Sequence, residues 1–527
     1  MKASVSITER RELIIRNDHL GRFGLWSVAL INTRMNSGIQ NMKFTSLTAL
    51  TLALSCFAGT TGRTAELPEM QQSAIIGTVE RDREQLGATA LAIWGFAEVG
   101  YQETQSSARL QQDLTAAGFT ITEGIAGQPT AFLASFKNGD GPVVALLAEF
   151  DALPGLSQAV SPVEQSLHAI AGHGCGHNLF GAASSYAAIA VRQWMVDNNI
   201  KGELRVYGTP AEEGGSAKAF MVRDGLFRDV DVALHWHPAT VNSASQGTTK
   251  ANISGKFRFY GTSSHASGAP DRGRSALDAV EAMNAMANMM REHIPDGTRI
   301  HYVITDGGEA PNVVPNYAES YYYVRHGDPE VVLSVIERLK KAAEGAALGT
   351  ETRYEFQQIG GVYSMMPNGA LMSVMDRNLH RVGGITWTPE ETAFAAELQK
   401  TLTSRPPLSG VGEIQPAKLS FDGAGGSTDV SDVSWVVPTV GLATATFVPG
   451  SAGHSWQNTA AAGSSIGVKG AVVAAKALAL TAAELFVSPE TIAAATAELH
   501  ERRGADFVYR PLVGDGPPQL NYRGGSE

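Results

Sequence analysis

Two cysteines in 527 residues are too few for a disulfide framework. Basic charge is also scarce, with 41 Lys+Arg against 52 Asp+Glu and a formal net charge of −11. Without a Lys/Arg stripe, the chain lacks the electrostatic footprint of a nucleic-acid binder. Hydrophobic residues make up 43% and charged ones 18%, which excludes a disordered chain. The 56 Gly and 23 Pro are scattered rather than periodic, which excludes a fibre. There is no internal repeat or low-complexity block. There is also no Gly-x-Ser-x-Gly elbow and no Gly-rich loop followed by Lys-Ser/Thr, so neither a serine elbow nor a phosphate loop is encoded. The remaining reading is a globular chain long enough for two or three domains.

One long apolar run lies near the start and begins at Met42, MKFTSLTALTLALSCFAGTTGRTAELPE. Lys43 gives a short positive start, about 15 apolar residues follow, and small residues close it, which is the layout of a secretory signal peptide. The run falls short of the about 20 apolar residues of a membrane span. On this reading residues 1–65 are an N-terminal extension plus a signal peptide at 42–65, with translation starting at Met42 and cleavage near Ala58 or Ala65. The mature protein is then exported, to a periplasm; an unprocessed segment would leave it cytoplasmic. The competing reading is an amphipathic N-terminal helix of the mature chain. Export would remove Cys56 and leave Cys175 as a lone thiol.

From Ile75 onward helical segments alternate with buried strands. VVALLAEF (143–150) is a continuous apolar run, as expected for a parallel strand covered on both faces. GELRVYG (202–208) and VDVALHW (230–236) repeat the pattern, and in open α/β sheets chemistry collects where such strands end. Between 255 and 360 the order becomes strand, helix, strand, strand, helix, strand, that of a ferredoxin-like unit. Helical 369–401 and strand-like PTVGLATATF (438–447) then restore α/β character. The expected organisation is a discontinuous catalytic domain (66–251 and 366–487), an inserted lid (252–365) and a tail (488–527) ending in an extended surface segment.

Four segments at predicted strand ends carry polar residues that packing does not explain. In HGCGHN (173–178), Cys175 and His177 are two apart beside flexible glycines, a pairing able to ligate a divalent metal; the alternative is a buried thiol near a structural histidine. GTPAEEGGS (208–216) places Glu212 beside Glu213, so one carboxylate can bind metal while the other acts as general base. Alternatively, both acids decorate a helix N-terminus. LHWHP (234–238) ends a strand with His235 and His237, and GHSWQ (453–457) puts His454 in a Gly-bearing loop. Together these donors suit two divalent ions sharing a water that attacks a carbonyl. Two rival classes are a cysteine hydrolase using Cys175 as nucleophile and a non-catalytic partner in a complex.

AEFDALPG, GHGCGHN, GTPAEEGG, SSHASGAPDRGRSALDAV, NVVPN, STDVSDVSWVVPT and GHSWQ occur in that order across roughly residues 70–515. In these motifs the chain resembles the M20 metallopeptidase/amidohydrolase family, in the branch of aminobenzoyl-glutamate, N-acyl-amino-acid and auxin-conjugate hydrolases, and it is most similar to the aminobenzoyl-glutamate group. The resemblance implies a di-metal catalytic domain, a mixed, mainly parallel sheet with helices on both faces, interrupted by a ferredoxin-like lid that dimerises. It implies metal ligands Cys175, His177, Glu213 and His454, with His237 preferred over His235 for the remaining one, and Glu212 as general base. It implies that His265 polarises the scissile carbonyl or holds a substrate carboxylate, often from a partner subunit. Asn312 and Arg325 are further candidates for gripping a carboxylate, and Asp429 and Asp432 for orienting ligands. The implied cofactors are two divalent ions, zinc or manganese. The implied activity is hydrolysis of N-acyl or N-aroyl amino acids, with a dipeptidase or a non-catalytic subunit as the alternative. The implied partners are a second copy of the chain and a second hydrolase subunit. The Met-rich helix at 283–290 suits core or dimer packing.

Overall fold

The computed structural model describes residues 66–423 and 425–523. The extension and signal-peptide reading of residues 1–65 lies outside the described residues. After three N-terminal helices, the first sheet is built from β1 (Thr120–Glu123), β2 (Phe132–Lys137), β3 (Val143–Glu149), β4 (Glu203–Thr209) and β5 (Val232–Leu234). Helix α1 (His177–Asp197) connects β3 to β4, and α2 (Ala217–Arg223) follows β4. Alternation along β3 explains its unbroken apolar run. Val144, Leu146 and Ala148 enter one core with α1, whereas Ala145 and Leu147 enter another with Tyr207, Met221 and Phe227.

The chain then leaves this sheet and forms the lid: β6 (Ala251–Tyr260), α3 (Ala276–Met290), β7 (Arg299–Asp306), β8 (Tyr317–His326), α4 (Pro329–Gly349) and β9 (Arg353–Val362). Its sheet is antiparallel in the order β7-β8-β6-β9, the ferredoxin-like arrangement. Both lid helices start on side-chain caps: Ser275 accepts from the Asp278 N–H, and Asp328, ahead of Pro329, accepts from the Glu330 N–H. In α3, Met283 and Met290 are buried against the sheet, while Met286 and Met289 face outward.

On its return the chain forms α5 (Val430–Val436) and β10 (Thr439–Val440), which joins β5 and completes the order β1-β2-β4-β3-β5-β10. Strands β4, β3, β5 and β10 run parallel, β2 runs antiparallel to β4, and β1 runs antiparallel to β2. Helix α6 (Ser465–Val487) is long and apolar enough to cross a membrane, yet 89% of its most apolar window is buried within the protein, and it packs on α1 as a core helix.

Three expectations change in detail. The helical stretch 369–401 is two helices, Gly369–Val382 and Pro389–Gln399, because Gly383 turns the chain at φ 80° and Pro389 starts a new helix. The 438–447 strand divides after β10, and Ala443–Ala445 pairs instead with His237–Ala239. The tail end runs along the surface without helix or strand, as expected, but it is anchored at points. After the helix Pro489–Arg503 the chain turns back over the lid junction, with Leu512 and Val513 buried and Tyr509 packed on Tyr363, while Val508 and Arg510 stay exposed. Burying those few apolar and aromatic side chains fixes the path of the segment.

Candidate metal centre

The carboxyl ends of β3, β4 and β5 gather the site. Glu149 closes β3, Asp151 follows it, and Cys175 and His177 stand at the start of α1. Gly176, between them, has φ 77°, and a Cβ there would come within 2.9 Å of Pro238, so only glycine fits this turn. Glu212 and Glu213 follow β4, His237 follows β5, and His454 lies in the loop before the short helix Trp456–Ala462.

Three sets of side chains place ligand atoms within 4.8 Å of one another: Cys175, His177 and His237; Cys175, Glu213 and His454; and Glu149, His177 and Glu212. Cys175 belongs to the first two, so one sulfur lies between two donor groups. The His177 Nδ1–H donates to Asp151 Oδ1 at 2.8 Å, which turns Nε2 inward. That Nε2 lies 3.2 Å from Glu149 Oε2, and both atoms are buried without a hydrogen-bond partner. The His237 Nδ1–H donates to the Pro238 carbonyl at 2.8 Å, leaving its Nε2 3.5 Å from Cys175 Sγ. His454 Nε2 lies 3.1 Å from Glu213 Oε1.

Charge in the site is one-sided. Five carboxylates converge, from Glu149, Asp151, Glu212, Glu213 and Asp429, around one fully buried ammonium. Lys218 Nζ donates to Asp429 Oδ1 at 2.7 Å and to Glu149 Oε1 at 2.8 Å. Burial, reinforced by the Glu149 and Glu213 carboxylates, holds the Glu212 carboxyl well above its ordinary range. Burial also pushes the Cys175 thiol up. Burial is the largest influence on Glu213 and opposes its charge, but the His454 and His177 imidazoles together outweigh it and hold that carboxyl below the usual value. Orphaned lone pairs, a thiol among imidazoles and surplus negative charge are what divalent cations neutralise, so these residues fit a pair of metal ions.

The structure therefore brings together Cys175, His177, Glu212, Glu213, His237 and His454. His235 points elsewhere: its ring packs on Gly441, and its Nε2 is buried without a hydrogen-bond partner. The lid residues stand apart. His265 is exposed in the loop after β6, and its Nδ1 accepts from the N–H groups of Ser267 and Gly268, which leaves an outward Nε2–H donor. Among the described residues no hydrogen bond or ion pair joins His265 to the gathered donors. Asn312 is exposed, and its carbonyl accepts from the Ala266 N–H. The Arg325 guanidinium lies 5.4 Å from the Tyr323 ring centre, with its Nε buried and unpartnered. Asp429 grips Lys218, whereas Asp432 accepts from Tyr509 of the tail and from the Tyr363 N–H. Sequence reasoning assigned no role to Glu149, Asp151 or Lys218. An acid ending a buried strand was the available signal for Glu149; Lys218 gave none.

A family model for a peptidase dimerisation domain of the M20 type matches residues 248–351, which cover most of the lid. One of the subunits of the Escherichia coli p-aminobenzoyl-glutamate hydrolase is 40% identical over 78% of this chain and 90% of its own length. The chain belongs to the M20 family. A mouse Xaa-Arg dipeptidase is 29% identical over 81% of this chain and 92% of its own. Among solved structures, an aminobenzoyl-glutamate utilization protein from Klebsiella pneumoniae superposes with a TM-score of 0.55 at 18% identity, covering 78% of this chain and 98% of that one. A dinuclear metal-binding M20 peptidase from Bacillus subtilis gives 0.52 at 17% identity, with 78% and 99% covered. This M20 chain is thus a metal-dependent hydrolase acting on amide bonds, and its fold is the α/β metallopeptidase architecture with an inserted dimerisation domain.

Proposed function

We propose that this enzyme hydrolyses the amide of N-acyl or N-aroyl amino acids of the p-aminobenzoyl-glutamate kind. The observation that carries the reading is Cys175, shared by two donor triads with Glu212 alongside. Cys175, His177 and His237 would hold one zinc or manganese ion, and Cys175, Glu213 and His454 the other. Such ions supply Lewis acidity for the carbonyl and make water a better nucleophile near neutral pH. Glu212, placed beside these donors, takes the proton of the attacking water and returns it to the leaving amine. Asp151 keeps the His177 Nε2 turned inward. His265, with its Nε2–H facing out, donates to the developing oxyanion from the lid, and Asn312 and Arg325 hold the substrate carboxylate.

The domain limits read from the sequence, with the lid at 252–365, divide the labour accordingly. Lid pairing into a homodimer is supported by the matched dimerisation model and by exposed apolar residues of the lid, Val303 and Ile304 on the outer strand β7 and Met286 and Met289 on α3. A second hydrolase subunit is a further partner, since the curated relatives include two different subunits of the Escherichia coli hydrolase. Export through residues 42–65 completes the proposal, and N-terminal sequencing of the mature chain checks it. The decisive assay is a panel of N-acyl, N-aroyl and dipeptide amides, including Xaa-Arg dipeptides, on the purified chain with zinc or manganese. Turnover of aroyl-glutamates is the expected result. Activity that survives complete metal removal and is lost on thiol alkylation would instead favour Cys175 as nucleophile.

A further inference from the structure

The turn carrying Glu212 and Glu213 is not self-supporting. Ala211 and Ser216, at its two ends, adopt left-handed backbone at φ 52° and 59°, a conformation that costs energy for residues other than glycine. Side chains from elsewhere hold it in place. The Ala211 N–H donates to Glu103 at 2.8 Å, the Glu213 N–H donates to Asp151 at 2.9 Å, and the Tyr101 hydroxyl donates to the Gly215 carbonyl at 2.8 Å.

The last clamp comes from about 310 residues further along the chain. The Tyr522 hydroxyl donates to the Glu213 carbonyl at 3.0 Å, and the Arg523 guanidinium donates to the same oxygen. Tyr522 has a prepared seat: its ring meets Tyr101 edge-on at 5.9 Å, and a Cβ on Gly100 would lie 2.3 Å from its hydroxyl. Arg523 forms no ion pair with any carboxylate among the described residues, so the main-chain carbonyl is its anchor. On its way there the tail is tied to the lid. Gln357 of β9 donates to Gln519 at 2.5 Å and Gln358 donates to the Leu512 carbonyl, while Gln102 of the catalytic domain donates to the Leu520 carbonyl at 3.0 Å.

We propose that the C-terminal tail is a functional strap, in which Tyr522 and Arg523 are positioning residues that fix the Glu212–Glu213 turn and link it to the lid. The proposal rests on the reading of Glu213 as a metal ligand and Glu212 as the base. Loss of a group that orients a metal ligand weakens metal binding by about 10- to 100-fold. Two hydrogen bonds to the carbonyl of the ligand itself belong in that class.

The test compares the full chain with the double variant Tyr522→Phe plus Arg523→Ala, with Arg523→Lys, and with Arg510→Ala. The last removes an exposed ion pair between the tail and Glu330 of lid helix α4 and none of the hydrogen bonds to the turn. Zinc affinity is read by competition with a chelating dye, and kcat and KM on the best substrate of the panel. The double variant is expected to lose at least about tenfold in zinc affinity and in kcat, with KM within about threefold. Arg523→Lys, which still offers a donor to the carbonyl, should recover most of both, and Arg510→Ala should match the parent. Zinc affinity and kcat within twofold of the parent in the double variant would overturn the proposal. So would a lower melting temperature with unchanged zinc affinity, which would mark the tail as mere cover. If the parent turns over no N-acyl amino acid, the substrate reading fails while the zinc affinities still decide the strap.

Discussion

Replacing Lys218 by Met tests the electrostatic core of the site. The ammonium is fully buried and donates to Asp429 and Glu149 at 2.7 and 2.8 Å, and burial's opposition to its charge is outweighed by those carboxylates and Glu212. Removing one member of a buried ionic cluster strands the others, at a cost of about 3–5 kcal/mol. Unfolding entropy near 2.1 cal/mol/K per residue over roughly 450 folded residues is about 1 kcal/mol/K, so the melting temperature should fall by only about 3–5 °C. The measurement is scanning calorimetry on chelator-treated protein, repeated with metal. Divalent ions beside Glu149 and Glu212 partly replace the lost cation, so the drop should be smaller in the loaded protein. Adding Asp429→Asn to Lys218→Met should recover at least about 1 kcal/mol, because it removes one stranded charge. A shift below about 1 °C without metal, or a larger drop with it, would refute this charge balance.

Glu212→Gln should keep metal content and lower turnover at least about 100-fold, measured by elemental analysis and kcat; near-normal turnover would exclude Glu212 as base. Cys175→Ala should lower metal stoichiometry, since its sulfur serves both donor groups; unchanged stoichiometry contradicts ligation. His237→Ala should lose metal while His235→Ala should not, because only His237 reaches Cys175; equal losses in both would contradict that geometry. Asp432→Asn probes pH dependence: burial outweighs the Tyr509 and Tyr363 donors and raises the Asp432 carboxyl to about 8. The unfolded chain releases this proton near its ordinary value of 3.8 while the folded chain keeps it, so stability is fully present below about 4 and is lost as pH rises toward 8. Urea unfolding at pH 5 and pH 8 should show the parent losing ground to the variant, and a pH-independent difference would exclude the assignment.

The fold was legible because its signals are local. An unbroken run such as Val143–Glu149 has one economical solution, a strand covered on both faces, and the structure shows its alternate residues in two cores. The lid's helix and strand periods are equally local, with Ser275 and Asp328 marking both helix starts. The donors Cys175, His177, Glu212, Glu213, His237 and His454 were legible because each lies next to a strand end in a segment with no packing rationale. The choice between His235 and His237 was not fixed by spacing. Two residues apart on a strand point to the same side, but His237 lies beyond the strand end and its ring follows the Pro238 carbonyl instead.

What escaped was the support around those donors, and the reason is physical. Lys218 reads as an ordinary residue near the start of a short helix, and nothing within ten positions announces that it will be fully buried. Its partners Glu149 and Asp429 are 69 positions before it and 211 after it, so the pairing exists only once the sheet edge is assembled. The anchoring of the tail escaped for the complementary reason. Its prolines and glycines suggest exposed chain, and much of it is exposed, yet Tyr509, Leu512 and Tyr522 pack on Tyr363, Gly361 and Tyr101, about 150 to 420 positions away. Such long-range partners cost loop-closure entropy that short-range patterns do not reveal. A sequence can therefore display the atoms that do chemistry, which need particular residue types, more clearly than the groups that hold them still, which need only a donor in the right place.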